Sequence, residues 1–322
     1  MPALLRHPHG ITAIDTLYVR PNLDAAHVLV HEDHAAIIDT GTSHSVPELV
    51  KALRELEVLP ENVDYVLLTH IHLDHAGGAG ALLRYLPNAR VVVHPHGAAH
   101  MNEPGKLIAA TIAVYGEKAY RSLYGEIVPI PAARILQTQD GMTLSLQSRE
   151  LTFLHTPGHA LHHYCIWDPT SRCVFSGDTF GLSYREFDTA RGALILPATT
   201  PTQFDPAQLE NSIDRLLALQ PECIYLTHYS RVTDIPRLGR DLKAQIRQFV
   251  RIARSHAADA APYDGIRADL RGLWLRLMVE HGCDMNEARF DALLELDLDL
   301  NAQGLDYWLK RESAQKVPLL AG

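Results

Sequence analysis

The stretch Thr69-His70-Ile71-His72-Leu73-Asp74-His75-Ala76-Gly77-Gly78 constrains this chain more than any other. Three histidines and an aspartate fall within six positions of it. The preceding run, Val63 to Leu68, is apolar except at Asp64 and reads as a buried strand. Small and glycine residues follow, and Ala81 to Leu86 then reads as a helix. His70 and His72, two apart at a strand end, project to one side of a sheet. Asp74 and His75 fall at the turn into the helix, where backbone N–H groups favour an anionic carboxylate. Imidazoles and carboxylates so placed suit zinc, iron or manganese.

A paired-metal site needs more ligands than this stretch supplies, and three further candidates stand at the ends of strand-like runs. Leu151-Thr-Phe-Leu-His155-Thr-Pro-Gly-His159 places His159 on a Pro-Gly turn. Cys173-Val-Phe-Ser-Gly-Asp178 places Asp178 after a short apolar strand and a glycine, and Cys223-Ile-Tyr-Leu-Thr-His228 ends in His228.

The order HxHxDH, then GH, GD and TH, resembles the metallo-β-lactamase-fold hydrolase superfamily over about residues 10 to 240. The fold implied is α/β, a four-layer αββα sandwich. Carried over position by position, the resemblance makes His70, His72 and His159 ligands of one metal. Asp74, His75 and His228 would hold a second, and Asp178 would bridge both. Two divalent ions are implied as cofactors, zinc foremost, with iron or manganese as alternatives, and a metal-bridging hydroxide as nucleophile. Asp74 and Asp178 are then catalytic as well as ligating. Ala35-Ala-Ile-Ile-Asp39-Thr-Gly41 matches the family's strand and turn before its first helix. Asp39 reads either as a turn-former or as an orienter of a ligating histidine.

Composition narrows the partners. The chain has 322 residues, 47% hydrophobic and 21% charged, the balance of a soluble globular protein. A formal net charge of −9 argues against a nucleic-acid partner, because phosphate binding needs a basic face. Cys165, Cys173, Cys223 and Cys283 show no CxxC spacing and read as ordinary buried thiols of a reducing cytoplasm. The N-terminal residues lack a long apolar core, so no signal peptide is expected, and no run approaches a transmembrane length. The expected partner is a small-molecule substrate, without nucleic acid or membrane.

Taken in order, Ile11 to Arg20 and Ala26 to Val30 read as strands, and His31-Glu-Asp-His34 as a polar turn into the strand Ala35 to Ile38. Val46, Leu49, Val50, Leu53 and Leu56 recur at helical spacing. His94-Pro-His96 is a second HxH, but it reads as a decoy: proline fixes its geometry and no acidic partner follows. Residues 97–132 form a helical insertion whose Tyr115, Tyr120 and Tyr124 either pack among themselves or line a substrate pocket. His162 and His163, if in a strand, face opposite sides, so at most one supports the site. Tyr184, six residues after Asp178, either donates to a carbonyl oxygen in the transition state or packs against its loop.

Beyond about Asp234 only helical patterns appear, around Leu238–Ala253, Gly265–His281, Asn286–Leu296 and Asp306–Arg311. The organisation expected is a catalytic domain over 1–236 and a C-terminal helical extension over 237–322. The extension would cover the site mouth or, with the insertion, form a homodimer contact.

The chemistry expected is hydrolysis of a small-molecule thioester, ester or lactone. Arg185 and Arg231 keep a phosphodiester in view without forming a phosphate clamp. Antibiotic-cleaving members of the superfamily lack the bridging aspartate. Its flavodiiron members carry a glutamate where His72 stands and a flavin domain that has no counterpart here. The alternatives are a mononuclear iron persulfide dioxygenase, which shares HxHxDH, and a metal-binding regulatory protein.

Overall fold

A computed structural model describes residues 4–199 and 201–316. The expected domains at 1–236 and 237–322 therefore have residues 1–3, 200 and 317–322 outside the described part. The chain divides into two compact units. The first takes the described residues up to His155, with His162–Gly177 and Pro221–Thr233; the second takes Thr156–Leu161, Asp178–Gln220 and the chain from Asp234 onward.

The first unit holds both β-sheets. One sheet runs in chain order through β1 (Leu4–Arg6), β2 (Ile11–Asp15), β3 (Ala25–His31), β4 (His34–Ile38), β5 (Val63–Leu67), β6 (Arg90–Val93) and β7 (Ile135–Gln137). Its pairs are antiparallel as far as β4 and parallel from β4 to β7. The helices of this unit are α1 (Val46–Glu55), α2 (Leu73–Ala76), α3 (Ala79–Leu82), α4 (Pro95–Asn102), α5 (Gly105–Tyr115) and α6 (Glu117–Tyr124). The second sheet contains β8 (Thr143–Leu146), β9 (Arg149–His155), β10 (Tyr164–Asp168), β11 (Cys173–Gly177), β12 (Cys223–Leu226) and β13 (Ser230–Val232). Its order is β13-β12-β11-β10-β9-β8.

The apolar runs of the first sheet are continuous because both of its faces are covered. Successive strand residues point to opposite faces, so Leu29, Ile38, Leu67 and Val92 pack with Phe153, Tyr164, Ile166 and Phe175 of the second sheet. Their neighbours Val28, Ile37, Val66 and Val91 pack instead with Leu49 and Leu53 of α1 and with Leu82. Tyr164 stitches the sheets polarly as well, its hydroxyl donating to the Val92 carbonyl at 2.9 Å. His27 of β3 sits edge-on to Phe175 and Tyr225. Burial pushes its pKa down to about 3, so it packs as a neutral ring.

Four expectations are corrected here. The first strand ends at Asp15 rather than Arg20. The Asp15 carboxylate accepts the N–H groups of Leu17 and Asn22 at 3.0 and 2.9 Å, folding the chain into a loop. The helix expected over Ala81 to Leu86 starts earlier and in two pieces, α2 directly at Leu73 and α3 from Ala79, with Gly77-Gly78 between them. The two helices expected near Asn286–Leu296 and Asp306–Arg311 are one, because Leu298, Ala302 and Leu305 keep the buried stripe going between them.

The fourth concerns the cysteines. Cys173 and Cys223 are register partners at the starts of the parallel strands β11 and β12, with Cα atoms 4.9 Å apart, and form a disulfide. That pairing overturns the reading of all four cysteines as thiols.

The second unit contains α7 (Pro206–Ala218), α8 (Ile235–Ser255), α9 (Pro262–His281) and α10 (Glu287–Lys316). Asp205 caps α7 by accepting the Gln208 N–H at 3.0 Å. Leu242, Ile246 and Phe249 of α8, Leu270 and Trp274 of α9, and Phe290 and Leu294 of α10 are fully buried. None of the described helices is long and apolar enough to cross a membrane.

Arg149 and Asp168 form a buried ion pair in the first unit, their side chains 2% and 0% exposed. Arg149 also donates to the His9 carbonyl at 2.7 Å, and Ser171 donates to Asp168. Replacing Arg149 by Met strands the carboxylate, so Arg149→Met should lower the unfolding free energy by about 3–5 kcal/mol. Urea denaturation checks this, and a loss below about 1 kcal/mol would show that the pair is already solvated.

Candidate metal centre

In the first unit, the chain leaves β5 at Leu67 and runs extended through His70 to His72, the N-cap of α2. The rings of His70 and His72 converge, Nε2 of the first 2.7 Å from Nδ1 of the second. His75, on α2, is completely buried. Its Nδ1 lies 2.9 Å from Asp39 Oδ2, and its Nε2 lies 3.7 Å from Asp74 Oδ2. His228, two residues past the end of β12, repeats the arrangement: Nδ1 is 3.0 Å from the Leu23 carbonyl and Nε2 is 3.6 Å from Asp74 Oδ2. One donor atom each from Asp74, His75 and His228 lies within 4.8 Å of the others.

Asp39 holds this group together. It directly follows β4, sits at φ +55° and is 1% exposed. Its carboxylate accepts the Thr69 N–H at 2.8 Å, the Thr69 hydroxyl and the Thr227 hydroxyl at 2.9 Å, besides facing His75. Asp39 thus turns the chain and orients the His75 ring.

The second unit carries a further pair. His159 Nε2 is 3.3 Å from Asp178 Oδ2, and its Nδ1 lies 3.0 Å from the Ala198 carbonyl. The glycines before these residues are required. Gly158 has φ +130°, and a Cβ there would lie 2.2 Å from the Leu209 amide nitrogen. Gly177 has φ +47°, and a Cβ would meet Thr69 Oγ1 and His163 Nε2 at 2.7 Å.

These donors suit divalent cations. Neutral imidazoles and carboxylates are the ligands such ions take. The second ring nitrogen of His75, His159 and His228 is held by an oxygen, as a metal-binding histidine requires.

His162 and His163 depart from expectation. They lie in the turn before β10 rather than in a strand, so strand alternation does not separate them. Both approach the motif: His163 stacks on His70 at 4.9 Å, and His162 stands edge-on to His72 at 5.3 Å. The second HxH serves as a helix cap, with His94 Nδ1 accepting the His96 N–H at 3.1 Å ahead of α4. Burial, with His155 and His96 nearby, pushes the pKa of His94 down to about 4.

Tyr184 is 1% exposed, and its hydroxyl donates to both carboxylate oxygens of Asp297 on α10 at 3.0–3.1 Å. Asn301, one turn further along α10, accepts the Thr199 N–H at 2.9 Å. Arg185 pairs with Asp188 at 3.2 Å. The sequence also gave no sign of Asp24, a fully buried carboxylate beside Leu23 that accepts the Thr16 hydroxyl at 3.0 Å. Burial pushes the Asp24 pKa up to about 7, against the pull of His228 and His75.

The model of the metallo-beta-lactamase superfamily matches residues 22–228, more than half of the chain. The chain belongs to this superfamily. Among its relatives, the metallo-beta-lactamase fold-containing protein ST1585 of Sulfurisphaera tokodaii is 25% identical over 65% of this chain and 73% of its own length. A crystal structure of ST1585 superposes with a TM-score of 0.66 at 20% identity, covering 93% of this chain and 99% of that one, which shows the shared α/β sandwich fold. A hydroxyacylglutathione hydrolase of Aeromonas hydrophila is 29% identical over 62% of this chain. The human acyl-coenzyme A thioesterase MBLAC2 is 30% identical over 44% of it. The matched regions span 58% of that hydrolase and 53% of that thioesterase.

Because Asp39 holds Nδ1 of His75, Asp39→Asn should weaken metal retention by about 10–100-fold. Competition with a chelator measures this, and unchanged retention would reduce Asp39 to a turn residue.

Proposed function

We propose that this superfamily member is a dinuclear metal-dependent hydrolase of small-molecule thioesters, with esters and lactones as secondary substrates. In this reading His70, His72 and His159 hold one ion, Asp74, His75 and His228 the other, and Asp178 both. The observation that carries it is the shared orientation of His75, His159 and His228: each has Nδ1 held by an oxygen and turns Nε2 toward a carboxylate. Two such relatives bear thioesterase or hydroxyacylglutathione hydrolase names, which favours sulfur as the leaving atom.

Paired divalent ions supply two things when bound, a water acidified toward neutrality and a polarised carbonyl. The chain's own groups supply the rest. Asp39, Leu23 and Ala198 fix the ring orientations, so ligand geometry need not reorganise during reaction. Asp74 keeps about a fifth of its side chain exposed (21%), against 7% for Asp178. It is therefore the carboxylate placed to pass the proton of the attacking water to solvent. Water adds to the acyl carbon, the C–S bond breaks, and a carboxylic acid and a thiol leave.

Elemental analysis of fresh protein should give roughly two ions per chain. His70→Ala and Asp178→Asn should each cut thioester turnover by more than about a hundredfold with loss of metal. Full turnover by either variant with its metal retained would overturn the ligand assignment, as would wild-type protein that binds no metal after reconstitution. Tyr184→Phe tests the remaining candidate. Its hydroxyl is engaged by Asp297, so kcat should change less than about threefold while stability falls by about 1 kcal/mol. A tenfold or larger fall in kcat would instead place the hydroxyl at the substrate.

A further inference from the structure

Helix α10 carries an asparagine where its own pattern calls for an aliphatic side chain. Phe290, Leu294, Leu298, Leu305 and Trp308 recur along its buried stripe at helical spacing, and Asn301 fills the position between Leu298 and Leu305. Asparagine is a poorer helix former than leucine. A buried amide is also costly unless its donors and its acceptor are met. The partners of Asn301 show what that cost maintains.

The Oδ1 of Asn301 accepts the Thr199 N–H at 2.9 Å and the Thr199 hydroxyl at 2.8 Å. Its Nδ2 donates to the Asp297 carbonyl, one turn back, at 2.7 Å. The Thr199 N–H belongs to the same peptide group as the Ala198 carbonyl, which lies 3.0 Å from His159 Nδ1. A carbonyl only accepts, so in the neutral imidazole Nδ1 carries the proton and Nε2 keeps its lone pair. The peptide is a rigid plane whose C=O and N–H point in opposite directions, so holding one fixes the other. An unbroken relay therefore runs from the Asn301 amide through one peptide plane to one imidazole. Asn301, Thr199 and His159 all belong to the second unit and are 3%, 2% and 0% exposed. Buried hydrogen bonds in series of this kind reinforce one another.

Other contacts hold the same segment without reaching the histidine. Arg237 of α8 donates to the Ala193 carbonyl at 3.0 Å, and Gln245 of α8 donates to the Ile195 carbonyl at 2.7 Å. Leu196 pairs with Leu182 as an isolated antiparallel bridge. These bonds fix the path of the chain before Ala198. Among these anchors, Asn301 is the one that grips the peptide facing His159. Gln245 is as deeply buried as Asn301, at 3% exposure, and so offers a matched contact that lacks the relay.

We propose that Asn301 is a positioning residue for the candidate metal ligand His159, setting the tautomer and direction of its ring through the Ala198–Thr199 peptide. This rests on the reading above in which His159 holds one of two ions. A ligating imidazole depends on the group that holds its other nitrogen for both orientation and basicity. Here that group is a backbone carbonyl, which a side chain of the C-terminal helix orients in turn.

The test compares full-chain wild type, Asn301→Leu and Gln245→Leu, each reconstituted with zinc. Leucine suits the apolar stripe of α10, so the helix should stay folded, which circular dichroism checks. Asn301→Ala repeats the comparison should leucine overpack the site. The Asn301 variants should release one ion to a chelator about tenfold more readily and hold the other as wild type does. In protein carrying 15N-labelled histidine, their His159 Nδ1–H resonance should shift and exchange faster with water. Gln245→Leu loses a buried bond to the same segment and should leave both readouts unchanged.

If wild-type protein binds no zinc, the parent reading fails and takes this inference with it. If wild type binds zinc and the Asn301 variants release it no faster than Gln245→Leu does, Asn301 is a packing residue. The proposal alone is then overturned, and the ligand assignment stands. An unchanged His159 resonance in the folded Asn301 variants would overturn it equally.

Discussion

The Asp39 carboxylate is the point on which the first unit's site depends. Four groups from three separate parts of the chain converge on it: the Thr69 amide and hydroxyl after β5, His75 on α2, and the Thr227 hydroxyl after β12. A buried carboxylate is costly unless its lone pairs are met, and here every donor is a candidate ligand or stands directly before one. Thr69 precedes His70 and Thr227 precedes His228. One carboxylate thereby fixes the ends of two strands and the angle of a helix, and its left-handed backbone is part of how it gets there.

The sequence made the local part of this legible. HxHxDH is compact, and its strand, turn and helix could be read from a few positions on either side. His159, Asp178 and His228 were legible for the same reason, each standing at the end of its own apolar run. What escaped was whatever depended on partners distant in sequence. The Cys173–Cys223 bond follows from the register of β11 against β12, which no local spacing encodes. Asp297 lies 113 positions from Tyr184 and sits in an alternating Asp-Leu tract that reads as an ordinary helix surface. His162 and His163 escape strand alternation because the chain turns there. Asp24 carries no local signal in the sequence and is fully enclosed.

The C-terminal helices extend the same lesson within the second unit. A tail of helices after a mixed sheet reads as an appendage. Yet α10 reaches the segment that follows Asp178 through Tyr184 and Asp297, through Thr199 and Asn301, and through the packing of Trp308 against Phe204. The polar residues that interrupt its apolar stripe are those that make these contacts. The helical additions and the loop after Asp178 are thus tied to one another within the second unit.

The disulfide has a topological meaning. Cys173 and Cys223 are 50 positions apart, and the chain between them leaves the second sheet after β11, contributes Asp178 and α7 to the second unit, and returns as β12. That whole excursion is a closed covalent ring anchored at the bases of two neighbouring strands. A single peptide cleavage within it would leave one molecule rather than two. The unfolded chain likewise keeps the roots of β11 and β12 together, so their parallel pairing, the kind slowest to find by diffusion, begins already tethered.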